Sequence, residues 1–180
     1  MSPARYDTIS GMTDEQVDFI WHEAPVPAAL RVTQVYGWLL EPATGRVLIQ
    51  DQDDGTYSLP GGTPEAYDAD QAATLAREAF EENQVRIAPV PVYLGYQEVR
   101  EPGRAPYAQV RMAGLITEFA PRGPDPDNGR INRRLMTSLA AAPGFLGWGG
   151  EGEAQAQAAA RAGRQWGLPV DAPAADGYRD

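Results

Sequence analysis

The sequence predicts an α/β fold in which a mixed β-sheet is covered by helices on both sides. Three observations predict it: β-rich segments come first, a strongly patterned helix follows, and further strands and helical segments come after that helix. The 180 residues are 43% hydrophobic, which is enough for one sizeable core and too few for two full domains.

Three short strands are predicted before the helix. Residues 32–40 and 46–50 are β-rich, and the turn between them carries a Pro and a Gly. An acidic turn then leads into residues 56–59. We expect these segments to pair as antiparallel strands.

The central helix is predicted over residues 70–83. Its apolar residues recur at three- and four-residue spacing, and either Asp68 or Asp70 is a suitable cap for its start. Two further strands are predicted at residues 90–99 and 107–119, joined by a turn rich in Pro and Gly. The sheet therefore continues beyond the helix.

The ends of the chain read differently from its centre. We expect an N-terminal lead-in over 1–30, with an acidic helical stretch around 14–21, and a main domain over 31–141 that ends in a helix at 130–141. A C-terminal helical extension and tail follow over 142–180, with an Ala- and Gln-rich helix at 151–166 and frayed residues after it.

The composition excludes several classes of function. A formal net charge of −10 argues against nonspecific binding to nucleic acid or to an anionic membrane, because both carry phosphate groups. Without cysteine there is no disulfide, no thiolate metal site and no cysteine nucleophile. Acidic residues stand where a signal peptide needs an apolar stretch, so a cytoplasmic protein is predicted.

Three carboxylates cluster on the central helix. Glu78, Glu81 and Glu82 stand at i, i+3 and i+4, so they project from one side of the helix and repel one another. Arg77 neutralises only part of that charge. Two readings stay open on these residues alone: a divalent cation that prefers oxygen ligands, or a solvated acidic face.

A glycine-containing motif upstream separates these readings. Leu59-Pro60-Gly61-Gly62 lies at the start of the loop that leads into the helix, where glycines let backbone groups approach an ion or phosphate closely. From Gly62 the chain runs five residues to Asp68, then eight residues to the sequence REAFEE at 77–82. This pattern resembles the signature of the Nudix hydrolase family.

The resemblance implies a fold, a metal site and a reaction. The fold would be an α/β/α sandwich, and the metal would be Mg²⁺, with Mn²⁺ as an alternative. Arg77 would orient the carboxylates by ion pairing, and the substrate would be a small nucleoside diphosphate linked to another moiety, cleaved by water at its pyrophosphate. The implied metal ligands are Glu78, Glu81, Glu82 and the carbonyl group of Gly61, with Glu82 and Arg77 also counted among the catalytic residues.

The sequence departs from the family pattern at three points. Asp68 replaces the first Glu, one extra residue precedes Arg77, and Gln84 replaces the Gly that usually ends the helix. Gln adopts a left-handed conformation only at some cost. None of these changes removes an expected metal ligand.

Residues outside the motif are candidates for the remaining roles. Glu98, near the end of a predicted strand, is the candidate general base, with Glu101 in the next turn as its competitor. Arg133 and Arg134 are candidates for binding a substrate phosphate from the predicted helix at 130–141, and Tyr96 is a candidate for stacking on a base. For each, a purely structural or solvated role stays open.

Besides catalysis, the sequence is compatible with one other function and one assembly, and it excludes a third function. A non-catalytic Nudix-like domain that senses a nucleotide stays open, although the three intact glutamates argue against it. Isopentenyl diphosphate isomerase is excluded, because it is expected to need a Cys and several His ligands that this chain lacks. A homodimer also stays open.

Overall fold

The computed structural model describes residues 17–173 and 175–179, which form ten strands and three helices. The strands are β1 (Asp18–His22), β2 (Arg31–Leu40), β3 (Val47–Asp51), β4 (Tyr57–Ser58), β5 (Gly61–Gly62), β6 (Val85–Ile87), β7 (Val92–Arg100), β8 (Tyr107–Phe119), β9 (Arg133–Thr137) and β10 (Gly177–Arg179). The helices are α1 (Gln71–Asn83), α2 (Ala142–Leu146) and α3 (Gly149–Gln165).

The strands form one open, mixed sheet in the order β1-β7-β8-β2-β3-β9-β10. Short strands pair outside this path: β4 with β3, β5 with β2, and β6 with β8. Strands β2 and β8 run parallel, and the other described pairs run antiparallel. The mixed sheet is confirmed.

Successive side chains of a strand point to opposite faces of the sheet, and buried residues occur at both. Both faces are therefore apolar, and each is covered by a helix. On β2, Val35 and Leu39 pack with Leu75 of α1 on one face, whereas Trp38 and Leu40 pack with residues of α3 on the other. Gly37 allows the close approach of α1, since a Cβ there would lie 2.6 Å from a methyl group of Leu75. The predicted α/β/α sandwich is therefore confirmed.

The central elements agree closely with the sequence predictions. Helix α1 begins after Asp70, whose side chain accepts a hydrogen bond from the N–H of Ala73, and it ends at Asn83. Strand β8 has the predicted limits, and the three strands before the helix pair as expected. These segments combine a clear periodicity with strong end signals.

The predicted helix at 130–141 is wrong. Residues 133–137 form β9, which pairs with β3 and buries Leu135 on one face and Met136 on the other. A short apolar run that is buried on both faces of a sheet has no two-residue alternation, so its sequence looks the same as that of a buried helix.

Both chain ends contribute to the sheet. The predicted helical stretch at 14–21 is wrong from Asp18 onward, where β1 pairs with β7, and its earlier part lies outside the described residues. The predicted fraying of the C-terminus is wrong for Gly177–Arg179, which pairs with β9. The domain limits at 31 and 141 stay predictions, although strands beyond both of them join the central sheet.

Across residues 17–173 and 175–179, none of the helices has the length and apolar character needed to cross a membrane.

Candidate active site

Arg77 organises the start of the site by binding three carboxylates at once. Its Nη1 donates to Glu78 Oε1 and to Glu81 Oε2, both at 2.9 Å. Its Nε and Nη2 donate to the two oxygens of Asp68 at 3.1 and 3.0 Å. The geometry matches the planar fork of a guanidinium, so the arginine fixes the positions of these acidic side chains.

Asp68 compensates for the unusual spacing of the motif. It lies in the loop before α1, its side chain is nearly buried, and it forms a two-point contact with Arg77 despite the extra residue between them. The hydrogen bonds from Arg77 lower the pKa of Asp68 to about 2. The carboxylate is therefore ionised at all physiological pH values.

Glu82 points away from Arg77 and toward strand β5. Its Oε2 accepts a hydrogen bond from the backbone N–H of Gly61 at 2.8 Å. Burial and, to a lesser extent, the negative charge of Glu78 raise the pKa of Glu82 to about 8. Among the described residues, no Arg or His forms an ion pair with this carboxylate, which therefore lacks a cationic partner.

The two glycines of the motif fit closely against these carboxylates. A Cβ at Gly62 would lie 2.5 Å from Glu78 Oε1, and Gly61 has φ +147°, a conformation that other residues rarely adopt. Burial also raises the pKa of Glu78. Residues 61–62 therefore bring backbone groups next to Glu78 and Glu82 at a distance that a side chain would prevent.

The chemistry of the α1 carboxylates suits a divalent cation, although their side chains are not already grouped as metal ligands. Burial raises the pKa of both Glu78 and Glu82, and the charge of Glu78 adds to the rise at Glu82, so an oxygen-preferring cation would stabilise their ionised forms. In the described part of the chain, no group of three or more His, Cys, Asp or Glu side chains is already arranged to hold a metal. Arg77 holds Glu81 to one side.

The comparisons with solved structures concern the fold of about three quarters of the chain. It aligns with a Nudix hydrolase from Nitrosomonas europaea over 74% of this chain and 90% of that one, at 17% identity and a TM-score of 0.52. It aligns with the Nudix hydrolase RenU of M. smegmatis over 75% and 87% of the two chains, at 16% identity and a TM-score of 0.50. The chain has the Nudix hydrolase fold.

A further solved structure is similar over a smaller part of both chains. The Bacillus subtilis pyrophosphohydrolase BsRppH aligns at 19% identity with a TM-score of 0.46, over 59% of this chain and 63% of that one, which is under two thirds of its length. No protein-family model matches the sequence, and no curated protein matches it.

The end of helix α1 shows how Gln84 takes the place of the glycine in the family pattern. Gln84 adopts the left-handed conformation, with φ 49° and ψ 43°. Its side chain donates to the carbonyl of Glu81 at 2.9 Å and accepts from the N–H of Gly123 at 2.8 Å. These two hydrogen bonds offset the backbone strain, so the helix ends where the Nudix motif predicts.

Two predicted site residues, Tyr96 and Glu98, lie on β7, away from the carboxylates of α1. Glu98 is bound by Arg100 at 2.7 Å and by His22 at 3.2 Å, and its hydrogen bond with Arg100 is the main reason that its pKa is lowered. Tyr96 is 4% exposed, and its ring stacks on that of His22 with centroids 4.8 Å apart. The structure does not bring Glu98 into contact with Glu78, Glu81 or Glu82.

The two arginines predicted to bind phosphate do not share one surface. They are neighbours on β9, a strand, so their side chains leave it on opposite faces. Arg134 is 1% exposed and donates to the backbone carbonyls of Ala120 and Arg179. Arg133 stacks on the ring of Tyr178 at 3.8 Å and pairs with Asp51.

A cavity that the sequence did not reveal lies on the α3 face of the Nudix fold. Its volume is about 360 Å³. Its wall is formed by aromatic and polar side chains, among them Phe19, Tyr36, Tyr57, Gln97, Gln109, Arg111, Trp148 and Glu151. Residues 57–59 line this cavity, and Gly61 of the same segment contacts Glu82. The cavity and the carboxylates therefore lie close together.

Two further cavities differ in their relation to the site. One of about 320 Å³ is lined by Thr63, which contacts Arg77, and by Arg31 and Arg104. The larger one, of about 650 Å³, lies beside α3 near Arg164 and Asp171 and is lined by none of the predicted site residues.

One pattern in the sequence is consistent with the cavity of about 360 Å³, called the aromatic cavity below. Gln109 and Arg111 stand two residues apart in an otherwise mainly apolar strand, β8, so both point to the same face of the sheet. A buried charge in such a strand needs polar neighbours, and Gln97 on β7 pairs with Gln109 in the register. The pairing of the strands, which supplies these neighbours, is not evident from the sequence.

Proposed function

We propose that this protein is a magnesium-dependent enzyme that hydrolyses the pyrophosphate bond of a nucleoside diphosphate linked to another moiety. One observation carries the proposal: Glu82 is a partly buried carboxylate beside Glu78, without a cationic partner among the described residues, on the motif helix of a Nudix fold. Burying a carboxylate without a counter-charge is costly unless a cation binds it.

Each residue of the cluster has a role in this proposal. Glu78, Glu81 and Glu82 would hold the cation together with the carbonyl of Gly61. When bound, Mg²⁺ polarises the phosphorus centre and lowers the pKa of a water molecule. Arg77 keeps Glu78 and Glu81 in place and limits their mutual repulsion. The N–H of Gly61 orients Glu82.

The general base is proposed to be a carboxylate that does not bind the cation. Glu98 is the candidate, with Glu101 as its competitor. In this conformation the contacts of Glu98 with Arg100 and His22 lower its pKa and make it a weak proton acceptor. Glu82 is not proposed as the base, because it would hold the cation and because, without metal, its pKa of about 8 leaves it mostly protonated at pH 7.

The substrate needs positive charge on a protein that is strongly acidic. Arg31 and Arg104 line the cavity next to Thr63, whose carbonyl accepts a hydrogen bond from Arg77, so they join Arg133 and Arg134 as candidates for attracting phosphate groups. This supports a small nucleotide-type ligand. A cytoplasmic location and a homodimer remain expectations.

A substrate panel tests the proposal. Released phosphate, pyrophosphate or nucleotide is measured with nucleoside triphosphates, nucleoside diphosphate sugars, dinucleoside polyphosphates, ADP-ribose and NADH, with Mg²⁺ and with Mn²⁺. We expect metal-dependent turnover of at least one class. Glu82→Gln should lower that turnover by about 100-fold or more without changing the fold.

Glu118→Gln is the matched control, because Glu118 is an exposed carboxylate on β8 whose one ion pair among the described residues is with exposed Arg86. Its turnover should equal that of the wild type. Turnover of Glu82→Gln within about threefold of wild type would contradict the metal assignment. Nucleotide binding without hydrolysis of any class would instead favour the non-catalytic sensor.

A further inference from the structure

The aromatic cavity on the α3 face contains a buried arginine without an acidic partner. Arg111 is 1% exposed, and burial lowers its pKa to about 10. Its guanidinium lies over the rings of Tyr36 and Trp148, at 4.7 and 5.2 Å from their centroids. Within the described residues, no carboxylate lies within ion-pair distance of it.

Arg111 fixes which end of each neighbouring amide faces it. Its Nη2 donates to Gln97 Oε1 at 2.6 Å and to Gln109 Oε1 at 3.2 Å, and its Nε donates to Gln155 Oε1 at 3.0 Å. An arginine has no acceptor, so these amides turn their oxygens toward it and their amino groups away. The amino group of Gln97 has no hydrogen-bond partner in the described part of the chain.

A carboxylate lines the same cavity as that free amino group. Glu151, in the first turn of α3, accepts a hydrogen bond from the backbone N–H of Trp21 at 2.6 Å. Trp21 is the residue of β1 that pairs with Gln97 on β7. Trp21 therefore connects Glu151 with the strand that carries Gln97, and both side chains line the cavity.

The cavity therefore offers flat apolar walls, one amide donor and one carboxylate. Its volume of about 360 Å³ and its aromatic lining suit a planar heterocycle. The guanidinium of Arg111 is already engaged by amide oxygens and aromatic rings, so the groups left to meet a ligand are the amide donor and the carboxylate. The wall shared with residues 57–59 places such a ring beside the carboxylate cluster.

We propose that this cavity binds the base of the substrate and selects guanine. A carboxylate accepts two parallel hydrogen bonds, and guanine presents two adjacent N–H groups beside a carbonyl oxygen. In this arrangement Glu151 accepts from the two N–H groups, and the amino group of Gln97 donates to the carbonyl oxygen.

The other common bases match this pair of groups less well. Adenine and cytosine place a ring nitrogen with a lone pair next to their amino group, so one carboxylate oxygen meets an acceptor. Uracil and thymine have a single N–H between two carbonyls, with the same consequence. Leaving a polar group unpaired or opposed in a buried site is costly, so guanine is preferred.

The proposal rests on the proposed function only in taking the ligand to be a nucleotide. Its test uses nucleoside monophosphates, which have no pyrophosphate bond, so binding is measured apart from hydrolysis. Calorimetric titration of the full chain with GMP, AMP, UMP and CMP should give a Kd for GMP lower by about tenfold or more than for the others.

Two substitutions identify the recognising groups. Gln97→Glu replaces the donor by an acceptor of the same size, and Glu151→Gln replaces half of the acceptor by a donor. Each should weaken GMP binding by about tenfold or more, while binding of AMP changes less. Gln157→Glu makes the same change as Gln97→Glu on an exposed position of α3 outside this cavity and should leave all four affinities unchanged.

Three results would overturn the proposal: equal affinity for the four nucleotides, no binding of any of them, or wild-type binding of GMP by both Gln97→Glu and Glu151→Gln. Circular dichroism verifies that each variant is folded. If Gln97→Glu does not fold, Glu151→Gln decides alone, because its carboxylate lies at the cavity wall and its replacement is isosteric. A protein that binds GMP selectively but hydrolyses nothing would contradict the proposed function and leave this inference standing.

Discussion

Arg77 and Arg111 are both largely buried and lie on opposite faces of the same sheet, but their partners differ. Arg77 is surrounded by carboxylates and binds Asp68, Glu78 and Glu81 directly. Arg111 is held by neutral amides and aromatic rings. The first face therefore keeps an excess of negative charge, and the second keeps a positive charge that no described carboxylate neutralises by direct contact.

This difference shows what each face is suited to bind. On the α1 face the carboxylates outnumber Arg77, their one cationic partner among the described residues, so they favour binding of a further cation. This is the basis of the proposed metal site. A guanidinium that orients amides provides fixed hydrogen-bond donors, which suit a polar ring more than an ion. The two faces meet along residues 57–62, so a single substrate can contact both.

The largest expected effect concerns the charge on the α1 face and its dependence on pH. The pKa of Glu82 is raised from 4.5 to about 8, so the folded protein binds a proton more tightly than the unfolded chain between these values. In the absence of metal, stability should therefore fall as pH rises from about 4.5 to 8, by roughly 3 to 5 kcal/mol from this group.

Chemical denaturation at several pH values measures this slope. Glu82→Gln should remove most of it, and saturating Mg²⁺ should reduce it in the wild type, because the cation takes the place of the proton. A slope that is the same in Glu82→Gln and in the wild type would show that another group is responsible.

Replacing each arginine by methionine compares the two faces directly. Arg77→Met leaves three carboxylates without their shared cation and should cost about 3 kcal/mol of unfolding free energy at pH 7. Arg111→Met leaves only amide oxygens without a donor and should cost about 1 to 2 kcal/mol. Mg²⁺ should restore part of the stability of Arg77→Met and none of that of Arg111→Met. Equal losses that are both insensitive to metal would remove the distinction between the two faces.

A third substitution gives Arg111 an acidic partner, as Arg77 already has. Gln155 contacts Arg111 through its oxygen, and its buried amino group has no partner among the described residues. Gln155→Glu supplies a carboxylate in the same place and removes that unpaired donor. We expect a gain of about 1 kcal/mol at pH 7, lost as the new carboxylate is protonated in acid. A loss of stability at pH 7 would indicate that Arg111 does not need a counter-charge.

The two faces also differ in how far the sequence predicts them. The residues of the α1 face lie within one helix and the loop before it, so the helical repeat alone brings Glu78, Glu81 and Arg77 together. The two-point contact of Asp68 with Arg77 was not predicted, since it depends on the path of the loop. Likewise, only the side-chain contacts of Gln84 explain why it replaces glycine.

The α3 face depends on strand register and could not be predicted. Gln97, Arg111 and Glu151 come from two strands and a distant helix, and their meeting follows from the pairing of β1, β7 and β8. The same reason explains the wrong helix at Arg133 and Arg134, where the apolar run fits a buried strand equally well. Sequence patterns describe local structure well and describe contacts between distant segments poorly.

The central claim is that the carboxylates of the α1 face bind a divalent cation, and titration with Mn²⁺ tests it most directly. Free Mn²⁺ is followed by electron paramagnetic resonance in the wild type, Glu82→Gln and Glu98→Gln. We predict one site in the wild type, weakened by about tenfold or more in Glu82→Gln and unchanged in Glu98→Gln, whose carboxylate lies with Arg100 and His22. Equal Mn²⁺ affinity in the wild type and Glu82→Gln, or loss of the site in Glu98→Gln alone, would contradict it.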